Sequence, residues 1–168
     1  ALTARAFIFF AYPTKMSGDK VWVSRADKID GVSGETALGQ LASLVDIDPS
    51  NSDVINKYNE FASDGLYSLS NSFLGLIPGS VGETSVIAIL IGAFILLFSG
   101  IGSFRIMISM FFGGLSMAYI FNWVAPDSNL FMTLDPLHQL CIGSFLFGMV
   151  FMATDPVSAA QTNTGKII

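Results

Sequence analysis

Three long windows without a charged residue constrain the fold of this chain more than any other feature of its sequence. No Asp, Glu, Lys or Arg occurs in residues 84–104, 106–126 or 136–154. A bilayer core of about 30 Å is crossed by roughly 20 apolar residues in a helix, and each window has about that length. Because the windows lack the alternating pattern of barrel strands, they predict three transmembrane helices.

The overall composition supports a membrane protein and excludes several other classes. Hydrophobic residues make up 52% of the 168 residues and charged residues 12%, whereas soluble domains contain about 25% charged residues. The net charge of −5 excludes a nucleic-acid partner, because phosphate binding needs a basic surface. One cysteine and one histidine are too few for a disulfide framework or for a Cys-based or His-rich metal site, so no bound metal is predicted.

The charges lie mainly in one polar stretch. Residues 13–83 carry ten of the thirteen acidic and five of the eight basic residues, so they account for the whole net charge. We therefore expect an all-α integral membrane protein with three transmembrane helices, the end of a fourth, and one long extramembrane loop. The predicted regions are the end of a truncated helix at 1–12, the loop at 13–83, a three-helix membrane region at 84–154, and a tail or the start of a further span at 155–168.

The positions of two basic residues predict the orientation of these helices. Arg105 lies in the short connection between the first two windows, and Lys166 lies after the third. Short cytoplasmic loops are enriched in Lys and Arg, so we expect both residues on the cytoplasmic side. The loop at 13–83 is then extracytoplasmic.

The third window differs from the other two in carrying several polar side chains. These are His138, Gln139, Ser144 and Thr154. Polar residues within membrane segments usually face protein or a cavity rather than lipid. We therefore expect one side of this segment to be covered by protein.

A short polar motif precedes a run with helical spacing of apolar residues. The motif is Ser33-Gly34-Glu35-Thr36. One interpretation is a phosphate site, in which Thr36 lies where a helix start would hold an anion. The other is an ordinary helix start, with Ser33 as the cap and Thr36 in the first turn.

An acidic residue directly follows the third window. Asp155, with Thr154 and Ser158, forms a set of oxygen ligands that suits a hard ion such as Na⁺. Alternatively, Asp155 is an interfacial residue that caps a turn before Pro156.

Two aromatic residues in the third window share one helical face. Phe147 and Phe151 are four residues apart. They could narrow a pathway by forming a hydrophobic constriction, or they could simply pack within the protein or against lipid.

Several blocks of sequence together resemble the B subunit of the Na⁺-translocating NADH:quinone oxidoreductase. Their order and approximate spacing also match, and the resemblance covers essentially the whole chain. The family protein has about ten spans, so the resemblance implies that this chain is an internal part of a longer protein. The blocks are RAFIFFAYP (5–13), DGVSGETALGQ (30–40), IPGSVGE (77–83), GIGSFRIM (100–107), FGMVFMATDPVSA (147–159) and TNTGK (162–166).

The resemblance implies a covalent flavin in the extramembrane loop. In the family, the threonine of an S-G-A-T motif carries FMN through a phosphoester, and the matching residue here is Thr36, preceded by Ser33 and Gly34. Glu35 departs from the usual alanine. The orientation predicted above places this flavin on the extracytoplasmic side, consistent with electrons crossing the membrane through flavins before they reach quinone.

The resemblance also implies roles for the membrane part. The family binds a non-covalent riboflavin there and forms a Na⁺ pathway, in which Phe147 and Phe151 would line the narrow part and Asp155 would be the acidic group near its end. The expected partners are the other subunits of the complex, ubiquinone, Na⁺ and the lipid bilayer. NADH is the expected electron source of the complex, and the bacterial inner membrane is its expected location.

Two alternatives to this function remain open on the sequence. The related D subunit of the Rnf electron-transport complex has the same architecture, although ATDPVSA and IPGSVGE favour the quinone reductase. A transport or scaffold subunit without a flavin of its own would also fit the pattern of membrane windows.

Overall fold

The computed structural model describes residues 2–12, 36–42, 52–59, 61, 65–79, 82, 84–125 and 129–167. The regular elements in these ranges are helical, as the sequence predicts. They are α1 (Leu2–Ala11), α2 (Ala37–Ala42), α3 (Ser52–Asn59), α4 (Leu69–Leu74), α5 (Val86–Phe98), α6 (Phe104–Val124), α7 (Leu130–Thr133), α8 (Pro136–Cys141), α9 (Phe145–Phe147) and a π-helical turn (Gly148–Met152).

Helix α6 is the one helix among the described residues that is long and apolar enough to cross a membrane. Its 21 residues extend over about 32 Å at a rise of 1.5 Å per residue, which matches the bilayer core. The second window is therefore confirmed as a long helix. It begins two residues earlier than predicted, because Ser103 is the residue before its first turn, and Arg105 lies within the helix rather than in a loop.

Helix α5 is shorter than the first window predicts. It has 13 residues, or about 20 Å. Its start is fixed by Ser85, whose Oγ accepts a hydrogen bond from the N–H of Ala88 at 3.3 Å. Its end is fixed by Gly100, which has a φ of +73°, a left-handed conformation that often terminates helices. The chain then turns directly into α6.

The third window is not one continuous helix, and the prediction of a third helix over 136–154 is corrected here. Helix α8 ends at Cys141, Ile142 is extended, and Gly143 has a φ of +79°. A left-handed residue cannot continue a right-handed helix. The chain resumes as α9 and the π-helical turn, in which the N–H of Ala153 bonds to the carbonyl of Gly148 at 2.8 Å.

The pieces of the third window pack between α5 and α6. Helix α8 lies against α6, and the π-helical turn contacts both long helices. We call the apolar core between them the hairpin cluster; its buried members are Val86, Ile89, Ala93, Met107, Cys141, Leu146, Met149 and Val150.

A second core joins part of the extramembrane segment to the start of the third window. We call it the loop cluster; its buried members are Ala37, Leu41, Phe61, Tyr67, Ile77, Leu134 and Ile142. The rings of Phe61 and Tyr67 stack with centroids 5.0 Å apart. Helix α2 therefore has a fixed place against the third window.

Of the four polar side chains predicted to be covered by protein, His138, Gln139 and Thr154 are buried or half-buried, whereas Ser144 is exposed. His138 is buried, and its Nε2 lies 2.7 Å from the carbonyl oxygen of Tyr67. The Nε2 group of Gln139 donates to the carbonyl of Leu134 at 2.9 Å, and Thr154 is buried as well. These contacts explain why a segment that is apolar in composition retains hydrogen-bonding residues.

Leu41 tests the loop cluster. Its side chain is 1% exposed, so Leu41→Ala removes buried apolar surface and leaves a cavity. We expect a loss of about 2–5 kcal/mol in the free energy of unfolding, measured by denaturant titration of the full-length protein in detergent. Leu74→Ala is the matched control, because Leu74 is 59% exposed. Equal losses in the two variants would contradict the loop cluster.

Candidate functional site

A partly open cleft lies where three distant parts of the chain meet. Its volume is about 90 Å³. Its walls are formed by the start of α2, the segment before α5 and the break in the third window. Two of the sequence blocks that carry the family resemblance, at 30–40 and 77–83, therefore meet at this break. The lining residues are Thr36, Ala37, Leu38, Ile77, Pro78, Gly79, Thr84, Gly143 and Ser144.

Thr36 caps α2 from one wall of this cleft. Its Oγ1 accepts a hydrogen bond from the N–H of Gly39 at 3.1 Å, which satisfies a free donor of the first turn. The helix begins at Ala37, so the interpretation that Thr36 lies inside the first turn is wrong. Ser33, Gly34 and Glu35 lie outside the described residues.

Two contacts hold Thr36 in this place. Ala37 and Leu41 bury one face of α2 in the loop cluster. On another face, Leu38 reaches over Gly143, where a Cβ atom would lie only 2.6 Å from its Cδ1. Leu38 can approach this closely only because residue 143 has no side chain. The break in the third window and the position of Thr36 are therefore linked.

The two aromatic residues of the predicted constriction are in contact. The ring centroids of Phe147 and Phe151 lie 4.9 Å apart, with an angle of 44° between the ring planes. Both are on the same face of the segment, which confirms that part of the prediction.

Glycines border both of these rings. A Cβ at Gly92 in α5 would lie 2.5 Å from Cζ of Phe151, and a Cβ at Gly82 would lie 3.4 Å from Cε2 of Phe147. The ring of Phe151 therefore rests directly against the backbone of α5. Sequence reasoning missed both glycines, because a glycine in an apolar window gives no sign of which ring it faces.

Asp155 holds a turn after the π-helical segment. Its Oδ2 accepts a hydrogen bond from the hydroxyl of Ser158 at 3.2 Å, and its Oδ1 accepts one from the N–H of Val157 at 3.4 Å. This is the capping arrangement that the sequence left open as the alternative to an ion site.

Thr154 does not join this pair through its hydroxyl. The hydroxyl donates to the carbonyl of Val150 within the preceding turn. Of the three predicted oxygen ligands, the structure brings together Asp155 and Ser158. Among the residues that the structure describes, no group of three or more His, Cys, Asp or Glu side chains is arranged to hold a metal.

Gly92 tests the contact that places Phe151. In Gly92→Ala the added methyl group overlaps the ring, so Phe151 must move away from Phe147 or α5 must separate from the third window. We expect a loss of about 1–3 kcal/mol in the free energy of unfolding. We also expect the NMR signal of a fluorinated phenylalanine at residue 151 to shift, because the surroundings of its ring change.

The control for this variant is Gly113→Ala in α6. A Cβ at Gly113 would have no atom within 4 Å, and alanine favours a helix over glycine by about 1 kcal/mol. This variant should be as stable as the wild type or more stable. If Gly92→Ala behaved in the same way, the close contact with Phe151 would be ruled out.

Comparison with known proteins confirms the resemblance found in the sequence blocks. The B subunit of the Na(+)-translocating NADH-quinone reductase of Chromohalobacter salexigens is 45% identical over 168 residues, covering 100% of this chain and 36% of that protein. The protein of the same name from Yersinia pestis is 43% identical over 166 residues, covering 99% of this chain and 37% of its own length. The chain thus spans little more than a third of these curated relatives. The NQR2, RnfD, RnfE family matches residues 1–168, and the chain belongs to this family.

Proposed function

We propose that the chain is part of the membrane-embedded B subunit of a Na⁺-translocating NADH-quinone reductase and that it carries FMN on Thr36. The relatives of this name and the membrane windows support the assignment. The observation that carries the flavin proposal is the cleft beside Thr36, because it places the hydroxyl-bearing residue of the S-G-E-T motif in open space next to the IPG segment.

The residues around Thr36 fit a phosphoryl group. Thr36 is half-buried, so its Oγ1 remains within reach of a bound group. The hydrogen bond from Gly39 uses Oγ1 as an acceptor, and an ester oxygen can still accept it. The cleft also contains two glycines and two further hydroxyl-bearing residues, which leave room for phosphate oxygens and offer donors to them.

The reaction that would attach FMN to Thr36 balances if the flavin comes from an activated donor. The Oγ1 of Thr36 bonds to phosphorus, its proton is released, and the group previously bound to that phosphorus leaves. A pyrophosphate-linked flavin supplies this leaving group as a nucleoside monophosphate. A flavin held at Thr36 would supply reversible electron transfer, and this chain would fix its position and surroundings.

The proposed reaction of the whole complex is the reduction of a quinone by NADH. NADH gives up two electrons and becomes NAD⁺, and the quinone takes up two electrons and two protons to become a quinol. This chain would hold one carrier on that route. Riboflavin, which the resemblance also implies, would bind in the membrane part of the complex.

We propose that Phe147 and Phe151 narrow a Na⁺ pathway and that Asp155 lies near its end. The contact between the two rings supports the constriction. The hydrogen bonds from Ser158 and Val157 hold the carboxylate of Asp155 in a turn directly after the aromatic segment, where a passing cation would meet a fixed negative charge.

The proposed orientation keeps Arg105 and Lys166 on the cytoplasmic side of a multi-pass protein in the bacterial inner membrane. One contact supports placing them together. The hydroxyl of Ser109, one turn along α6 from Arg105, donates to the backbone carbonyl of Lys166 at 3.1 Å. The loop with Thr36 would then be extracytoplasmic.

Thr36→Ala tests the covalent flavin. The full-length protein is purified from its own host, separated on a denaturing gel and examined under ultraviolet light, since only a covalent flavin remains through denaturation. We expect a fluorescent band in the wild type and none in Thr36→Ala.

Thr162→Ala provides a matched control for this experiment. The Oγ1 of Thr162 also accepts a hydrogen bond from the N–H three residues later, that of Gly165, at 3.1 Å, but Thr162 does not line the cleft. Its variant should keep the fluorescence. A dark wild-type band, or a bright band in Thr36→Ala, would overturn the proposal.

A further inference from the structure

We propose that the cleft beside Thr36 is the binding site for the phosphodiester and the adjoining sugar-alcohol carbons of the bound flavin, with the hydroxyls of Thr84 and Ser144 as its hydrogen-bond donors. This inference rests on the proposed flavin at Thr36. It goes further by assigning a role to two residues that the family resemblance does not single out, and by placing the flavin ring outside the cleft.

The first argument is where these hydroxyls lie. Thr36, Thr84 and Ser144 are far apart in the sequence, yet all three line one cleft of about 90 Å³. A phosphodiester bonded to Oγ1 of Thr36 must have its two free oxygens within a few ångströms of that atom. The other residues that line the cleft are therefore the surfaces available to those oxygens.

The second argument is chemical. A phosphodiester carries one negative charge, and its free oxygens are strong acceptors. A hydroxyl can turn to donate to such an oxygen. None of the described residues that line the cleft is acidic, and the remaining walls are apolar or glycine. The half-buried Thr84 and the exposed Ser144 are thus the side chains of those walls that can donate to the charge, alongside water at the open side.

The third argument is size. The volume of the cleft is about 90 Å³. Pockets that enclose whole drug-sized ligands usually measure about 300 Å³ or more. The cleft therefore accommodates a phosphoryl group and the first carbons attached to it, and the three-ring isoalloxazine lies beyond its opening.

Gly143 keeps the cleft in this form. Its left-handed backbone, with a φ of +79°, turns the chain so that Ser144 lines the same cleft as Thr36. Its missing side chain leaves the space that Leu38 fills. Gly143 acts as a positioning residue, because it sets the distance between the two walls without needing to touch the bound group.

The test measures how well the cleft protects the phosphodiester. The complete complex, isolated from its own host, is treated with a phosphodiesterase, and the release of FMN from the protein is followed by fluorescence. In the double variant Thr84→Val with Ser144→Ala, we expect release to be about ten-fold faster or more, since two hydrogen bonds to a charged group are lost. The conservative double variant Thr84→Ser with Ser144→Thr should release FMN at the wild-type rate.

Ser116→Ala is the control for an unrelated hydroxyl loss, because Ser116 is an exposed residue of α6 that bonds to the carbonyl of Gly113. Its release rate should equal that of the wild type. Mass spectrometry of the Thr36 peptide is run on every variant. Suppose that the Thr36 peptide carries FMN in every variant, but the double variant Thr84→Val with Ser144→Ala releases FMN at the wild-type rate. This inference is then wrong and the proposed function stands. If the wild-type peptide carries no FMN, both fail.

Discussion

The left-handed backbone at Gly143 is the constraint on which the arrangement of the candidate site depends. It ends the first half of the third window, after which Ser144 lines the cleft and the chain resumes as α9. Because Gly143 has no side chain, Leu38 of α2 can pack against the break in the third window. A side chain at this position would be strained and would force the Leu38 side chain to move. One backbone angle thus connects the membrane part to the predicted flavin residue.

Close approaches between glycines and aromatic rings hold the rest of the third window in place. The ring of Phe145 rests on Gly114 of α6, where a Cβ would lie 2.4 Å from its Cζ, and the ring of Phe151 rests on Gly92 of α5. The broken segment is therefore fixed from both sides by rings against bare backbone. Such packing without a side chain between the partners is common where membrane helices approach closely.

The sequence predicts the long elements better than the junctions. Helix α6 follows from an uncharged window, since length and apolar composition are local properties. The shorter α5 and the break at Gly143 could not be predicted in the same way, because a glycine adopts a left-handed conformation only where its neighbours require it. The motif marked Thr36 as a candidate, but Thr84 and Ser144 entered the cleft through tertiary packing alone. The pairing of Phe147 with Phe151 was predictable from spacing, whereas the glycines behind them were not.

The π-helical turn at Gly148–Met152 has a mechanical consequence for Asp155. Its hydrogen bond joins Ala153 to Gly148 across one more residue than an α-helix uses. If the N–H of Ala153 shifted to the carbonyl of Met149, the turn would become α-helical with the same number of hydrogen bonds. Such a one-residue slip would rotate the residues that follow Ala153, which include Asp155, by roughly 100° relative to the two rings. The π-helical turn therefore lies where a change in one hydrogen bond would move the carboxylate of Asp155 relative to the proposed constriction.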